Sequence, residues 1–159
     1  MTDFIPDSWS SVPTFGAEAA RHPRVVRLSA YGLIRNDAGL LALARTPEGV
    51  FLPGGGIEAG ESAARAVVRE AMEECGLVVR PGPWTRRAVD FVTSVRERTH
   101  FEKRCTFVDA ELEAIGPAPG EPDHELQWVE PAAAQELVTH PSHRWAIATW
   151  REEFPLLRN

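Results

Sequence analysis

Between Gly55 and Leu77 the chain reads GGIEAGESAARAVVREAMEECGL. Glu61, Glu70, Glu73, Glu74 and Arg69 are bracketed there by Gly55 and Gly76. Glu70, Glu73 and Glu74 stand at i, i+3 and i+4, so a helix puts them on one face. Like charges at that spacing repel by roughly 0.2–0.5 kcal/mol per pair on an exposed helix. A hard cation with oxygen ligands turns that repulsion into coordination, as magnesium does beside phosphates. Ser62 suits the N-cap of this helix and Gly76 the position just past its end. Ala64, Val68, Ala71, Met72 and Cys75 follow helical spacing and are expected to form the buried stripe, with the acidic trio on the opposite side.

The spacing resembles the signature of the Nudix hydrolases, G-x5-E-x7-R-E-U-x-E-E-x-G-U, where U is a bulky aliphatic residue. Gly55 opens it, Glu61 follows after five residues, and Arg69-Glu70 follow after seven more. Glu73-Glu74, Gly76 and Leu77 complete it, and Ala71 is the one position smaller than the pattern expects. Seven fixed positions at roughly 6% each make a chance match in one window about 10⁻⁸ to 10⁻⁹. A solvated acidic face explains clustered glutamates but neither the bracketing glycines nor the arginine. The resemblance implies an α/β protein with the Nudix fold, an α/β/α sandwich around a mixed, curved β-sheet. It covers about 23 residues by motif and roughly residues 25–155 by layout. The expected organisation is a single domain over residues 25–159, preceded by an extension over 1–24 that packs on it.

Length and composition agree with one soluble domain: 159 residues, 43% hydrophobic and 25% charged. The net charge of −6 argues against nucleic acid or an acidic membrane as partner. A phosphorylated substrate therefore needs local neutralisation. Cys75 and Cys105 match no disulfide framework or metal spacing and read as reduced thiols of a cytoplasmic protein. The opening MTDFIPDSWSS lacks the features of a signal peptide, and no apolar run approaches the length of a membrane span.

Around the motif, Val25–Ile34 reads as a strand, Asn36–Gly39 as a turn and Leu40–Ala44 as the returning strand. Val50–Leu52 is a short apolar run, and Pro53–Gly56 a loop whose bare backbone can approach a ligand. Val78–Val79, a run around Trp84–Val95 and another around Thr99–Leu112 read as three strands. Residues 115–125 form a proline-, glycine- and acid-rich loop, and Leu126–Val129 a short strand. Pro131 opens a helix to about Val138, and Ser142 is expected to cap a last helix to about Phe154.

By resemblance, Glu70 and Glu74 are the leading metal ligands, Glu73 the next, and the carbonyl of Gly54 a backbone ligand. The implied ion is Mg2+ or Mn2+. Arg69 is expected to hold acidic side chains in place, with Glu61 as its partner. The general base is a motif glutamate or an acid of the later loop, with Glu125 first and Glu121 second. Arg45 is the candidate for a terminal phosphate of the substrate. Phe51, Trp128 and Trp145 are aromatic residues that pack a core more often than they stack on a base. His124 reads as a loop residue.

The implied function is Mg2+- or Mn2+-dependent cleavage of a phosphoanhydride bond in a nucleoside diphosphate-linked substrate. A (deoxy)nucleoside triphosphate is favoured because the markers of the ADP-ribose, dinucleoside polyphosphate and NADH subfamilies are missing. Two alternatives stand beside it: a nucleotide-sugar or ADP-ribose-type pyrophosphatase, and a non-catalytic nucleotide-sensing module. The expected partner is a small nucleotide, with no nucleic acid, no membrane and allowance for a homodimer.

Overall fold

A computed structural model describes residue 9, residues 11–16 and residues 24–154. Most of the extension expected over 1–24 lies outside those residues. The part that is described ends in a short strand, β1 (Thr14–Phe15), parallel to Val89–Asp90 at one edge of the sheet.

The centre of the sheet is β2 (Arg24–Arg35), paired in parallel with β7 (Thr99–Ile115) along its whole length. Its inner half alternates strictly, because successive side chains of a strand point to opposite faces. Tyr31 and Leu33 enter one core cluster, Ala30 and Ile34 the other. Asn36 turns the chain into β3 (Leu41–Thr46), its Oδ1 accepting from the Ala38 and Leu40 N–H groups. β3 alternates as β2 does, with Leu41 and Leu43 on one face and Ala42 and Ala44 on the other. β4 (Gly49–Phe51) lies beyond β3. Pro53–Gly56, expected as a loop, is partly a strand: β5 (Gly54–Gly56) pairs with Ser29–Tyr31 of β2.

The two runs expected as separate strands, Val78–Val79 and Trp84–Val95, are one strand, β6 (Leu77–Ser94). Shifts of register at Val78/Val79 and Pro81/Thr85 let it bend while it stays antiparallel to β7. Val95 belongs to the turn that follows and is 87% exposed. β8 (Glu125–Val129) closes against β3. The sheet is therefore mixed, with the order β1-β6-β7-β2-β3-β4, β5 on β2 and β8 on β3.

Helices cover both faces. α1 (Ala63–Cys75) packs on β2, β5, β6 and β7 over the cluster of Ala30, Ile34, Ala66, Val67, Ala71 and Val108. α2 (Pro131–Leu137) and α3 (Pro141–Glu153) cover the other face around Leu33, Phe107, Ile147 and Trp150. The expected cap on α3 is wrong. Pro141 starts that helix after His140, and Ser142 is fully buried with its hydroxyl donating to Asp90 on β6. A proline lacking the N–H can open a helix without a side-chain cap, which frees Ser142 to tie α3 to the sheet. Trp150, also fully buried, donates its indole N–H to Asp109 at 2.8 Å.

Candidate active site

The local chemistry of α1 begins at its ends. Ser62 caps the N-terminus by accepting from the Arg65 N–H at 3.2 Å, as its position suggests. Gly76 ends the helix in the left-handed region at φ 65°, returning its N–H to Ala71 and Met72. A side chain there would also strike the carbonyl of Ala118 at 2.6 Å. Gly76 thus serves the cap and lets the 116–124 segment pass close by.

The expected phase of the helix needs correction. Val68 and Met72 are 37% and 36% exposed, whereas Ala66, Val67, Ala71, Glu74 and Cys75 are buried. The acidic trio therefore does not face away from the core as a set. Glu73 is exposed, Glu70 is largely covered and Glu74 is buried. The reason is the neighbouring β5. With no side chains of its own, it lets the helix roll its glutamates against the sheet. Gly55 shows this directly, since a Cβ at that position would lie 2.8 Å from Glu70 Oε1.

Arg69 organises these acids. Its Nε and Nη2 donate to both oxygens of Glu61 at 2.9 and 2.8 Å, the bidentate geometry that suits a guanidinium. Nη1 donates to Glu70 at 3.0 Å and Glu73 at 3.3 Å, and Nη2 also to the Gly56 carbonyl at 2.9 Å. One side chain thus clamps the glycine strand, the loop before the helix and the helix itself. The Arg69 hydrogen bonds hold the Glu61 carboxyl down at about 2, aided by the Glu58 backbone, so Glu61 stays ionised.

Glu74 is in the opposite condition. Burial first, then a hydrogen bond with Glu70 and the Glu70 charge, push its carboxyl from the ordinary 4.5 up to about 9. Two carboxyls sharing one proton this closely form a donor set of the hardness that Mg2+ or Mn2+ takes. The Gly54 backbone N–H donates to the Glu74 carboxyl, and both Gly54 and Glu74 line a cavity of about 550 Å³. A measurable consequence follows by linkage. Between pH 4.5 and about 9 the folded, metal-free protein keeps a proton on Glu74 that the unfolded chain has released. Its contribution to stability is full below 4.5 and is lost as pH rises through 9. In chelator, the melting temperature should fall across that window. Saturating Mg2+ should flatten the fall by displacing the proton, and Glu74→Gln should remove it. A metal-free melting temperature of Glu74→Gln that falls with pH as steeply as the parent's contradicts this account.

The remaining candidates divide. Glu121 lies by the end of α1, its N–H donating to the Glu73 carbonyl at 3.1 Å, and its charge bears on Glu74. Glu125 is exposed at the start of β8, across from Arg45. Arg45 itself is exposed, and the cavity is lined by its strand neighbours Ala44 and Thr46. The structure does not bring Glu125 and Arg45 into the cavity. His124 lines it, with Nδ1 3.2 Å from Glu121 and 3.0 Å from Asp123. Phe51 lines the cavity too, whereas Trp128 packs under α1 and Trp145 against Phe15 and Phe107.

Several cavity features were not singled out from the sequence. His143, fully buried, accepts from the Leu52 N–H through Nδ1 at 3.2 Å and so anchors the segment leading to Gly54. His140, Tyr31, Lys103 and Arg27 line the walls. For Tyr31, Lys103 and Arg27 the signal was only strand alternation in β2 and β7, which gives a face but not what covers it.

Known proteins share this fold. The model of the NUDIX domain matches residues 25–150, and the chain belongs to the Nudix family. A NUDIX hydrolase from Nitrosomonas europaea superposes with a TM-score of 0.59 at 20% identity, covering 81% of this chain and 90% of that one. A MutT protein from Methanosarcina mazei Go1 gives 0.56 at 24%, covering 83% and 97%. A C. elegans Ap4A hydrolase in a binary complex gives 0.62 at 14%, covering 80% and 98%. At these identities the likeness is one of fold. A search of curated protein sequences returned no match. Among the described residues no helix is long and apolar enough to cross a membrane.

Proposed function

We propose that this Nudix protein is a Mg2+- or Mn2+-dependent hydrolase that cleaves a phosphoanhydride bond of a nucleoside diphosphate-linked substrate. A (deoxy)nucleoside triphosphate is the first choice. The observation that carries the reading is the Arg69 clamp, which gathers Glu61, Glu70 and Glu73 against bare glycine backbone beside buried Glu74. A solvated acidic helix has no need of a five-bond arginine or of a carboxyl pressed against Gly55. Glu70, Glu74, Glu73 and the Gly54 carbonyl are the groups that would hold the ion. When bound, the ion neutralises the diphosphate, orients its oxygens and lowers the pKa of water. Arg69 and Glu61 keep the glutamate oxygens in place, and the cavity walls orient the rest of the substrate.

Glu121 replaces Glu125 as the preferred loop base, because its charge bears on Glu74 while Glu125 stands across from Arg45 in β8. The two buried thiols, Cys75 and Cys105, support a reducing, cytoplasmic setting. A homodimer stays within this proposal. Val25, Val26 and Leu28, about half exposed on β2, are the apolar surface a second copy would cover, and a monomeric mass in light scattering would remove that clause.

The deciding experiment is a hydrolysis screen of purified protein with Mg2+ and Mn2+. The panel holds (deoxy)nucleoside triphosphates, nucleotide sugars, ADP-ribose and, because one structural relative is an Ap4A hydrolase, diadenosine tetraphosphate. Metal-dependent turnover of a triphosphate, abolished by EDTA, is the expected result. Undiminished turnover in excess chelator would defeat the metal assignment. Binding without turnover of any substrate would convert the reading to the nucleotide-sensing module.

A further inference from the structure

The cavity is chemically two-ended. Glu74 and Gly54 line it, as do Arg27, Lys103, Arg96 and the carboxylate Glu97, and the register of β2 sets Arg27 and Lys103 apart from Gly54. Strand register sets the separation. On β2, Tyr31 pairs with Gly54 and Arg27 pairs with Lys103 of β7. Arg27 and Tyr31 are four residues apart on one face of the strand, about 13 Å at about 3.3 Å per residue. Phe51, His140 and Phe101 also line the cavity.

Lys103 is a cation on the cavity wall with no direct ion pair among the described residues. It is half-buried, and among the described residues no carboxylate lies within ion-pair distance of its ammonium. Its cross-strand neighbour, Asp90, is buried, accepts from Ser142 and, at 3.8 Å, from the Cys105 thiol, and feels the Lys103 charge without a direct ion pair. An ammonium partly removed from water costs free energy unless something compensates it. Arg27 is held nearby but not saturated. Its guanidinium stacks 4.2 Å from the Phe101 ring centre, and Nη1 reaches Glu97 only at 4.0 Å. In a chain of net charge −6, two cations side by side on one cavity wall, Arg27 with a long ion pair to Glu97 and Lys103 with no direct one, form a local patch of opposite sign. Glu48, the other acid on the cavity wall, is engaged by Thr46 in the β3–β4 turn.

We propose that Lys103, with Arg27 beside it, is a second anion subsite that takes a phosphate of the substrate remote from the glutamate end. The preferred substrate then carries anionic groups at both ends of the cavity. This rests on the nucleotide-hydrolase reading for the identity of the ligand, but its test does not depend on turnover.

The test is calorimetric binding, with Mg2+ present, of matched nucleotides differing by one remote phosphate. Coenzyme A against dephospho-coenzyme A and NADPH against NADH provide two placements of that phosphate. In at least one pair the parent protein should favour the phosphorylated member by about tenfold, the size of one charge-assisted hydrogen bond. Lys103→Met should reduce the preference to within about twofold while the dephosphorylated member binds as before, and Lys103→Arg should retain most of it. Saturating inorganic phosphate should erase the preference in the parent. Equal affinity within both pairs, a preference that survives Lys103→Met, or one untouched by inorganic phosphate would each overturn the subsite. Thermal unfolding of each variant shows that it is folded. Failure of the hydrolase reading would appear instead as absent turnover with this binding pattern intact.

Discussion

Glu70→Gln should leave a folded protein whose kcat on its best substrate is lower by about 10³-fold or more. The expectation comes from the several kcal/mol that charge stabilisation by a properly held metal contributes, at about 1.36 kcal/mol per tenfold in rate. The substitution keeps the side chain's size and its place against Gly55, where Glu70 accepts from Arg69 at 3.0 Å. It removes one of two acids that crowd each other, because the Glu70 charge helps push the Glu74 carboxyl upward. The metal-free melting temperature should therefore hold or rise slightly, while the stabilisation by Mg2+ shrinks. Steady-state hydrolysis and thermal unfolding on one preparation check both parts. A well-folded variant within about tenfold of the parent would remove Glu70 from the catalytic set.

The second large effect is expected in the 116–124 segment. Glu121→Gln should lower kcat by roughly 10²–10⁴, the usual range for a positioned general base. Glu125→Gln should stay within a few-fold. The ordering follows from position. Glu121 is tied to the end of α1 through the Glu73 carbonyl, whereas Glu125 sits in β8 across from Arg45. Comparison of pH–rate profiles for the two variants separates loss of a base from a general disturbance, since only the former removes the acid limb. The reverse ordering would restore Glu125, and small effects from both would return the base to the helix glutamates.

Residues close in the chain and tied by spacing are legible from the amino-acid sequence alone. The helix from Ser62 to Gly76 follows from helical geometry and capping chemistry, and the Arg69–Glu61 partnership from the motif resemblance. They span a few turns, and their contacts are local or nearly so. The phase of that helix is not legible in the same way. Ala64, Val68 and Met72 have the spacing of a core stripe, yet Val68 and Met72 are substantially exposed and Glu74 is buried. Hydrophobic periodicity assumes that burial follows apolarity, and here β5 and the Arg69 clamp reward turning acids inward.

The same limit governs the loop acids and the cavity. Nearness to Trp128 puts Glu125 ahead of Glu121, and the pairing of β8 with β3 and the Glu121–Glu73 backbone bond reverse that order. Ser142 reads as a cap by position, and only the packing of α3 on β6 shows that its hydroxyl belongs to Asp90. Lys103 reads as one charge in a mixed strand. Its significance arises from the parallel pairing of β2 with β7, which places it beside Arg27 across a separation of 76 residues in the chain. The sequence by itself determined the motif helix, its caps and the acids it carries, because these are written in local spacing. Which acids are desolvated, which loop reaches them and what lines the far wall were decided by tertiary structure, because burial and opposing charge come from segments distant along the chain.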